Sequence, residues 1–255
     1  MESDLEIGNT HIRIFSLNNY PGKPVIIFLH ESLGCIELWK NFPVKLANAA
    51  ECNVLVYDRQ GYGKSDPFNN VKRNKNYLEK EADFLKLLID KRAIKNAVLF
   101  GHSDGGTIAL LTAAEYPEII SAVITEGAHV FVEEITLNGI RLAVENYRKS
   151  NLNEKLAKYH GDKSEAVFNE WTDIWLSDEF RDWNIEKYLS KIKCPALIIQ
   201  GEEDEYGSLK QVDAVINQSS GITYKLIVAD SGHSPHIDSE ELVINKCSEF
   251  IKNLI

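Results

Sequence analysis

The sequence has little of several features that mark other classes of protein. Its four cysteines, at positions 35, 52, 194 and 247, form no Cys-x-x-Cys pair, so neither a disulfide scaffold nor a cysteine zinc site is expected. No apolar run approaches membrane-spanning length. The acidic first residues lack the basic and apolar regions of a signal peptide. These absences predict reduced thiols and a cytoplasmic location.

Positive charge is also scarce. The chain has 28 lysines and arginines against 38 aspartates and glutamates, a formal net charge of −10. A surface of this sign repels nucleic acid and anionic membranes, so we expect neither as a partner. At 255 residues, 44% of them hydrophobic, the chain suits one globular domain with a modest insertion.

The most informative stretch is Gly101-His102-Ser103-Asp104-Gly105-Gly106, which follows an apolar run at 97–100. Gly-x-Ser-x-Gly between a buried strand and a helix is typical of a nucleophile elbow. The flanking glycines are needed because larger side chains would collide where the strand reverses into the helix. Residues 107–114 are apolar nearly all round, as in a helix buried against a sheet. The pattern predicts Ser103 as a nucleophile.

A serine hydroxyl becomes a good nucleophile when a base removes its proton and a carboxylate orients that base. Asp204 and His233 each follow a predicted strand, at 194–201 and 224–228. The ends of parallel strands meet at one edge of a sheet, so we expect these side chains to reach Ser103. Glu126, at the end of an earlier strand, is the alternative acid, and His236 is the alternative histidine.

The remaining pattern predicts the architecture. Apolar runs at 25–29 and 53–57 predict strands buried on both faces, and the helical period at 77–92 predicts a covering helix. Alternating strands and helices indicate an α/β protein with a mostly parallel, doubly wound sheet. Residues 131–189 differ, because they are helix-biased, charged and hold three of the four tryptophans. We predict a helical insertion there and a core formed by 1–130 and 190–255.

Taken together, these motifs resemble those of the α/β-hydrolase superfamily, specifically its small lidded esterase-like members. The resemblance covers nearly the whole chain and implies a helical lid between the sixth and seventh expected strands. It also implies the chain order serine, acid, histidine, hence a triad of Ser103, Asp204 and His233. The matching motifs are the oxyanion loop His30-Glu31-Ser32-Leu33-Gly34, residues 58–65, the elbow at 101–105, Gly201-x-x-Asp204 and Gly232-His233.

The resemblance also implies how the site is completed. Backbone amides of Asp104 and Ser32 are expected to form the oxyanion hole, with no metal or organic cofactor. Relatives commonly have His-Gly where this chain has His30-Glu31, which puts a carboxylate near the mouth of the pocket. The side chain of Asp104 is expected to point away from the site, towards Arg59 or solvent. The expected pocket residues are His30, Glu31, Trp171 and Trp175.

The function implied is a serine hydrolase, a monomer or homodimer, that cleaves small to medium carboxylic esters through an acyl-enzyme. A carbon–carbon bond hydrolase of the ring-cleavage diketone type would use the same triad. In that case Arg141, Arg148 or Arg181 would bind the substrate's carboxylate. A lactonase or perhydrolase is also compatible with the triad, whereas a non-catalytic ligand-binding protein is disfavoured because no triad position is lost. The fold alone does not choose among these chemistries.

Overall fold

Uninterrupted apolar runs form the centre of an eight-stranded sheet. The computed structural model describes residues 1–69 and 72–254. The strand order is β1-β2-β4-β3-β5-β6-β7-β8, antiparallel at β1–β2 and β2–β4 and parallel elsewhere. The α/β class with a mostly parallel sheet is therefore confirmed. The strands are β1 (Glu2–Ile7), β2 (Thr10–Leu17), β3 (Val25–Leu29), β4 (Asn53–Tyr57), β5 (Ala97–His102), β6 (Ile120–Glu126), β7 (Ala196–Gly201) and β8 (Thr223–Val228).

Helices cover both faces of this sheet. In the part of the chain that the structure describes, three short 3-10 helices accompany them, at Ile36–Trp39, Gly161–Lys163 and Asp178–Phe180. Within the described residues, no helix has the length and apolar character needed to cross a membrane. The α-helices are α1 (Phe42–Ala50), α2 (Tyr77–Lys91), α3 (Asp104–Glu115), α4 (Glu134–Lys149), α5 (Leu152–His160), α6 (Ser164–Trp175), α7 (Glu186–Leu189), α8 (Leu209–Gln218), α9 (Pro235–Asp238) and α10 (Glu240–Lys252).

The two faces of the sheet bury separate apolar cores. In β3, Ile26 and Phe28 join a cluster with residues of α1 and α10. Their neighbours Ile27 and Leu29 join the other cluster, with residues of α2 and α3. Successive strand residues face opposite sides, so a strand covered on both sides must be apolar throughout. This is why the runs read as continuous hydrophobic sequence.

Two separate helical pieces connect β3 to β4. The structure has a 3-10 turn over Ile36–Trp39, and α1 begins later, at Phe42. Lys40 lies between them with a positive φ of 51°, which interrupts the helical path. Pro43 stands in the first turn of α1, where its missing N–H costs no hydrogen bond.

Four α-helices, α4 to α7, lie between β6 and β7. Trp171, Trp175 and Trp183 of this stretch are buried and belong to the same apolar cluster as α2 and α3. We call residues 131–189 the inserted segment. Its division from the core, and its action as a lid, remain predictions.

Adjacent leucines on α2 give a matched test of this packing. Leu88 is fully buried and Leu87 is 53% exposed. We expect Leu88→Ala to lower the free energy of unfolding by about 2–5 kcal/mol, because it leaves a cavity. Leu87→Ala, with the same helix-propensity change, should cost about 0.5 kcal/mol or less. Urea unfolding of both variants measures the difference, and equal losses would contradict the packing described.

Candidate active site

The turn between β5 and α3 holds Ser103 in a strained backbone conformation, with φ 54° and ψ −119°. A Cβ on Gly101 would lie 2.1 Å from the Gly105 carbonyl oxygen, and one on Gly105 would lie 2.0 Å from the Leu29 oxygen. Only glycine fits at either position. The Ser103 N–H donates to the Glu126 carbonyl at 2.8 Å, which ties the turn to β6. This geometry is that of a nucleophile elbow.

Asp204 and His233 meet at the same edge of the sheet. Nδ1 of His233 lies 2.9 Å from both carboxylate oxygens of Asp204. The carboxylate also accepts hydrogen bonds from the backbone N–H groups of Tyr206 and Gly207 and from the Gln200 amide. These bonds orient the acid from one side and leave its other side to the histidine.

Each member of this pair changes the pKa of the other. Burial alone would raise the pKa of Asp204, but the hydrogen bond and charge of His233 outweigh it, so the pKa is lowered. Burial alone would lower the pKa of His233, but the hydrogen bond and charge of Asp204 outweigh it and the pKa is raised. A negative Asp204 therefore favours a proton on His233.

The alternative acid, Glu126, binds the other histidine. Nδ1 of His236 donates to Oε1 of Glu126 at 2.6 Å, and the His236 backbone N–H lies 3.2 Å from the same oxygen. Glu126 is fully buried, and the ring of His236 packs against Trp39 and Phe42. Two hydrogen-bonded carboxylate–histidine pairs therefore lie at this edge of the sheet, and Asp204, not Glu126, contacts His233.

The oxyanion loop (residues 30–34) lies beside the elbow. Its Glu31 carbonyl accepts from His30 Nδ1 at 2.7 Å and from Arg59 Nη2 at 3.0 Å. Among the described residues, no backbone hydrogen bond occupies the Ser32 N–H. The N–H of Asp104 belongs to the first residue of α3, where a helix supplies no partner. Both amides are therefore free to bind an oxygen atom.

Ser103 and His233 line one cavity of about 120 Å³. The expected residues Glu31, Ser32, Asp104, Trp171 and Trp175 also line it. His30 does not, because its ring is turned behind the loop, where it also accepts from the Arg59 N–H. Sequence reasoning did not predict five further lining residues, and only the first of them lies in a quoted motif: Leu33, His129, Thr136, Ile140 and Tyr206.

The Asp104 side chain differs from expectation. It lines the cavity, is only 1% exposed, and its Oδ2 accepts from the Tyr77 hydroxyl at 3.0 Å. That hydroxyl in turn accepts from the indole N–H of Trp175 at 2.9 Å. The partner is thus Tyr77 rather than Arg59 or solvent, because α2 and α6 close over this end of α3.

The described lining of the cavity has two acidic side chains, Glu31 and Asp104, and no lysine or arginine. Burial raises the pKa of Glu31. Arg141 and Arg181 instead bind Glu134 at the surface, and Arg148 lines a different groove. The three arginines proposed for binding a substrate carboxylate therefore lie outside the cavity wall.

Other sites are less suited to this chemistry. A larger cavity of about 260 Å³ lies beside Arg73 and Tyr77, but none of the described residues that line it is a serine, cysteine or histidine. Over the same described ranges, no group of three or more His, Cys, Asp or Glu side chains is arranged to hold a metal ion. The elbow cavity is therefore the candidate active site.

Comparison with known proteins agrees with the fold. Residues 24–184, more than half of the chain, match the family model described as the alpha/beta hydrolase fold. The chain therefore belongs to the α/β-hydrolase family.

Two relatives and one solved structure are similar to this chain. The human serine hydrolase BPHL is 30% identical over 72% of this chain; the match covers 64% of BPHL, less than two thirds of its length. A 2-hydroxy-6-oxononadienedioate/2-hydroxy-6-oxononatrienedioate hydrolase of Paraburkholderia phymatum is 29% identical over 78% of this chain and 77% of its own. The crystal structure of a bacterial membrane phospholipase A superposes with a TM-score of 0.81 at 17% identity, covering 100% of this chain and 86% of that one, and shows the fold alone.

The two carboxylate–histidine pairs give a testable pH behaviour. Each histidine pKa is raised by its own carboxylate, so Asp204→Asn should lower the pKa of His233 because the opposing effect of burial remains. Glu126→Gln should do the same to His236. Histidine ring resonances followed by NMR across pH measure both. An unchanged His233 pKa in folded Asp204→Asn would contradict the pairing, and each variant serves as the control for the other.

Proposed function

We propose that this protein is a serine hydrolase that cleaves small to medium carboxylic esters through an acyl-enzyme intermediate. The observation that carries the proposal is that the strained Ser103 elbow and the His233 ring, held by Asp204, line one cavity. A nucleophile, a base and an orienting acid at one cavity are the arrangement that acyl transfer requires.

The reaction follows from these positions. Because Asp204 occupies Nδ1 of His233, Nε2 is the nitrogen that takes the proton from the Ser103 hydroxyl. The serine oxygen attacks the ester carbonyl, and the negative oxygen that forms accepts hydrogen bonds from the Asp104 and Ser32 amides. The alcohol leaves with the proton from His233. Water then repeats these steps on the acyl-enzyme, which releases the acid and restores the serine.

The cavity also favours a class of substrate. Its volume of about 120 Å³ suits small groups next to the reacting carbonyl. Trp171, Trp175 and Ile140 supply apolar surface for them. A negatively charged substrate would lose water of hydration beside Glu31 and Asp104 without gaining a lysine or arginine partner in the described lining. These features support an ester without a negative charge.

A carbon–carbon bond hydrolase is the second candidate, supported by the similarity to the Paraburkholderia phymatum enzyme. It would use the same triad. The name of the Paraburkholderia phymatum enzyme states that its substrate is a dioate. Carboxylates are commonly recognised by arginine. Because no arginine lies in the described lining, we place the ester reaction first.

One set of assays tests the proposal. Values of kcat/KM are compared for p-nitrophenyl esters of rising acyl length, a lactone and a vinylogous diketone bearing a carboxylate. We expect short, uncharged esters to react best. Ser103→Ala should lower kcat on the order of 10³-fold or more, because the covalent route is lost. A fluorophosphonate should label Ser103 in the wild-type protein.

Near-wild-type turnover by folded Ser103→Ala would overturn the serine mechanism. A preference for the diketone would keep that mechanism but replace the ester reaction by carbon–carbon cleavage.

The choice of acid is tested by its own pair of variants. Asp204→Asn should lower kcat by about 10³- to 10⁴-fold, because an amide favours the wrong tautomer of His233. Glu126→Gln should cost much less, because its carboxylate contacts His236. Circular dichroism establishes that both variants are folded before kcat is compared. The reverse ranking would make Glu126 the catalytic acid.

A further inference from the structure

One histidine of the inserted segment reaches the oxyanion loop. His160 ends α5, and its side chain is buried. Its Nε2 donates to the Leu33 carbonyl at 3.0 Å, and its Nδ1 accepts from the Gly63 N–H at 2.9 Å. Leu33 directly follows Ser32, whose amide is a proposed oxyanion donor. Gly63 lies in the loop after β4, so a single side chain connects three parts of the chain.

The two hydrogen bonds require one form of His160. The Gly63 N–H can only donate, so Nδ1 must carry no proton and Nε2 must carry the hydrogen. Burial lowers the pKa of His160; the hydrogen bond to Leu33 opposes this, and the positive charge of Lys163 adds to the lowering. The neutral ring is therefore the stable form at neutral pH, as both contacts demand.

The contacts of the loop explain why its geometry depends on these anchors. A peptide unit is planar and trans, so the Ser32 N–H points opposite to the Glu31 carbonyl. That carbonyl accepts hydrogen bonds from His30 Nδ1, from Arg59 Nη2 and, within the loop, from the Gly34 N–H at 3.1 Å. The Leu33 carbonyl, two residues further along the chain, accepts a hydrogen bond from His160. Ser32 thus lies between two fixed carbonyls, one held by the core and one by the inserted segment.

Ring packing reinforces the same arrangement. Tyr62 is fully buried, with its ring edge-on to His30 at 4.8 Å between centroids and to His160 at 6.1 Å. His30, which binds the Glu31 carbonyl, and His160, which binds the Leu33 carbonyl, therefore contact the same ring. Displacement of α5 would remove one hydrogen bond from the loop and one side of this packing.

We infer that His160 is a positioning residue through which the inserted segment holds the oxyanion loop, so that the Ser32 amide is in place only while α5 is docked. The inference rests on the proposed function, because it takes the Ser32 amide to bind the developing oxyanion. A purely structural role would affect stability alone. A positioning role also lowers kcat in the folded protein, because donor placement acts on the transition state.

The test compares His160→Leu with His160→Gln, and with His11→Leu as a matched surface control. The side chain of His11 is 63% exposed and lies away from the cavity lining. A glutamine amide, like the neutral ring, offers both an N–H donor and an acceptor atom, whereas leucine offers neither. On a short p-nitrophenyl ester we expect His160→Leu to lower kcat by about tenfold, with KM little changed. His160→Gln should restore most of kcat, and His11→Leu should match the wild type.

The wild type must turn over the ester and be labelled at Ser103 by the fluorophosphonate. If it does, a folded His160→Leu protein with wild-type kcat would overturn the inference and leave the serine mechanism intact. If the wild type neither turns over the ester nor is labelled at Ser103, the proposed function itself would be overturned. If His160→Leu does not fold, ¹⁵N NMR of histidine in the wild type still decides. A pure Nε2–H tautomer for His160 at neutral pH, with kcat retained in His160→Gln, supports the inference, and a tautomer mixture refutes it.

Discussion

The close approach of α3 to the ends of β3 and β5 is the constraint on which the site depends. With backbone oxygens only 2.1 and 2.0 Å from where a Cβ would stand at Gly101 and Gly105, neither position can carry a side chain. This contact forces Ser103 into its positive φ and leaves the Asp104 amide at an open helix end. Strand pairing from β5 through β8 then sets how far from the serine the Asp204 and His233 loops can lie.

The parts that the sequence predicts well are those determined by local chemistry. Strands predicted at 25–29 and 53–57 coincide with β3 and β4, because burial on both faces requires continuous apolar residues. The direction of the Asp104 side chain could not be predicted, since its partner Tyr77 comes from another helix. His129 and Tyr206 reach the cavity wall through packing between loops and the inserted segment, which no short motif records.

Two buried carboxylates are stable at this edge because each has a histidine from the segment between β8 and α10. An unpaired buried charge is strongly destabilising. The raised pKa values of His233 and His236 contribute stability that is complete below their unfolded values and is lost as pH rises through the folded ones. The lowered pKa values of Asp204 and Glu126 contribute stability that is lost on acidification. Pairing thus stabilises both acids. They differ because the histidine paired with Asp204 lines the cavity and the one paired with Glu126 does not.

At Glu31 the side chain and the backbone have separate contacts, so the side chain can differ without moving the Ser32 amide. The contacts of Glu31 with His30 and Arg59 are made by its backbone carbonyl, so they persist whichever side chain stands there. The carboxylate itself is 30% exposed and lines the cavity. The side chain at this position therefore sets the charge that a substrate would meet, while the direction of the Ser32 amide depends on the backbone contacts. Under the proposed function, the Glu31 side chain would act on substrate selection and the Ser32 amide on oxyanion binding, two different groups of the same short loop.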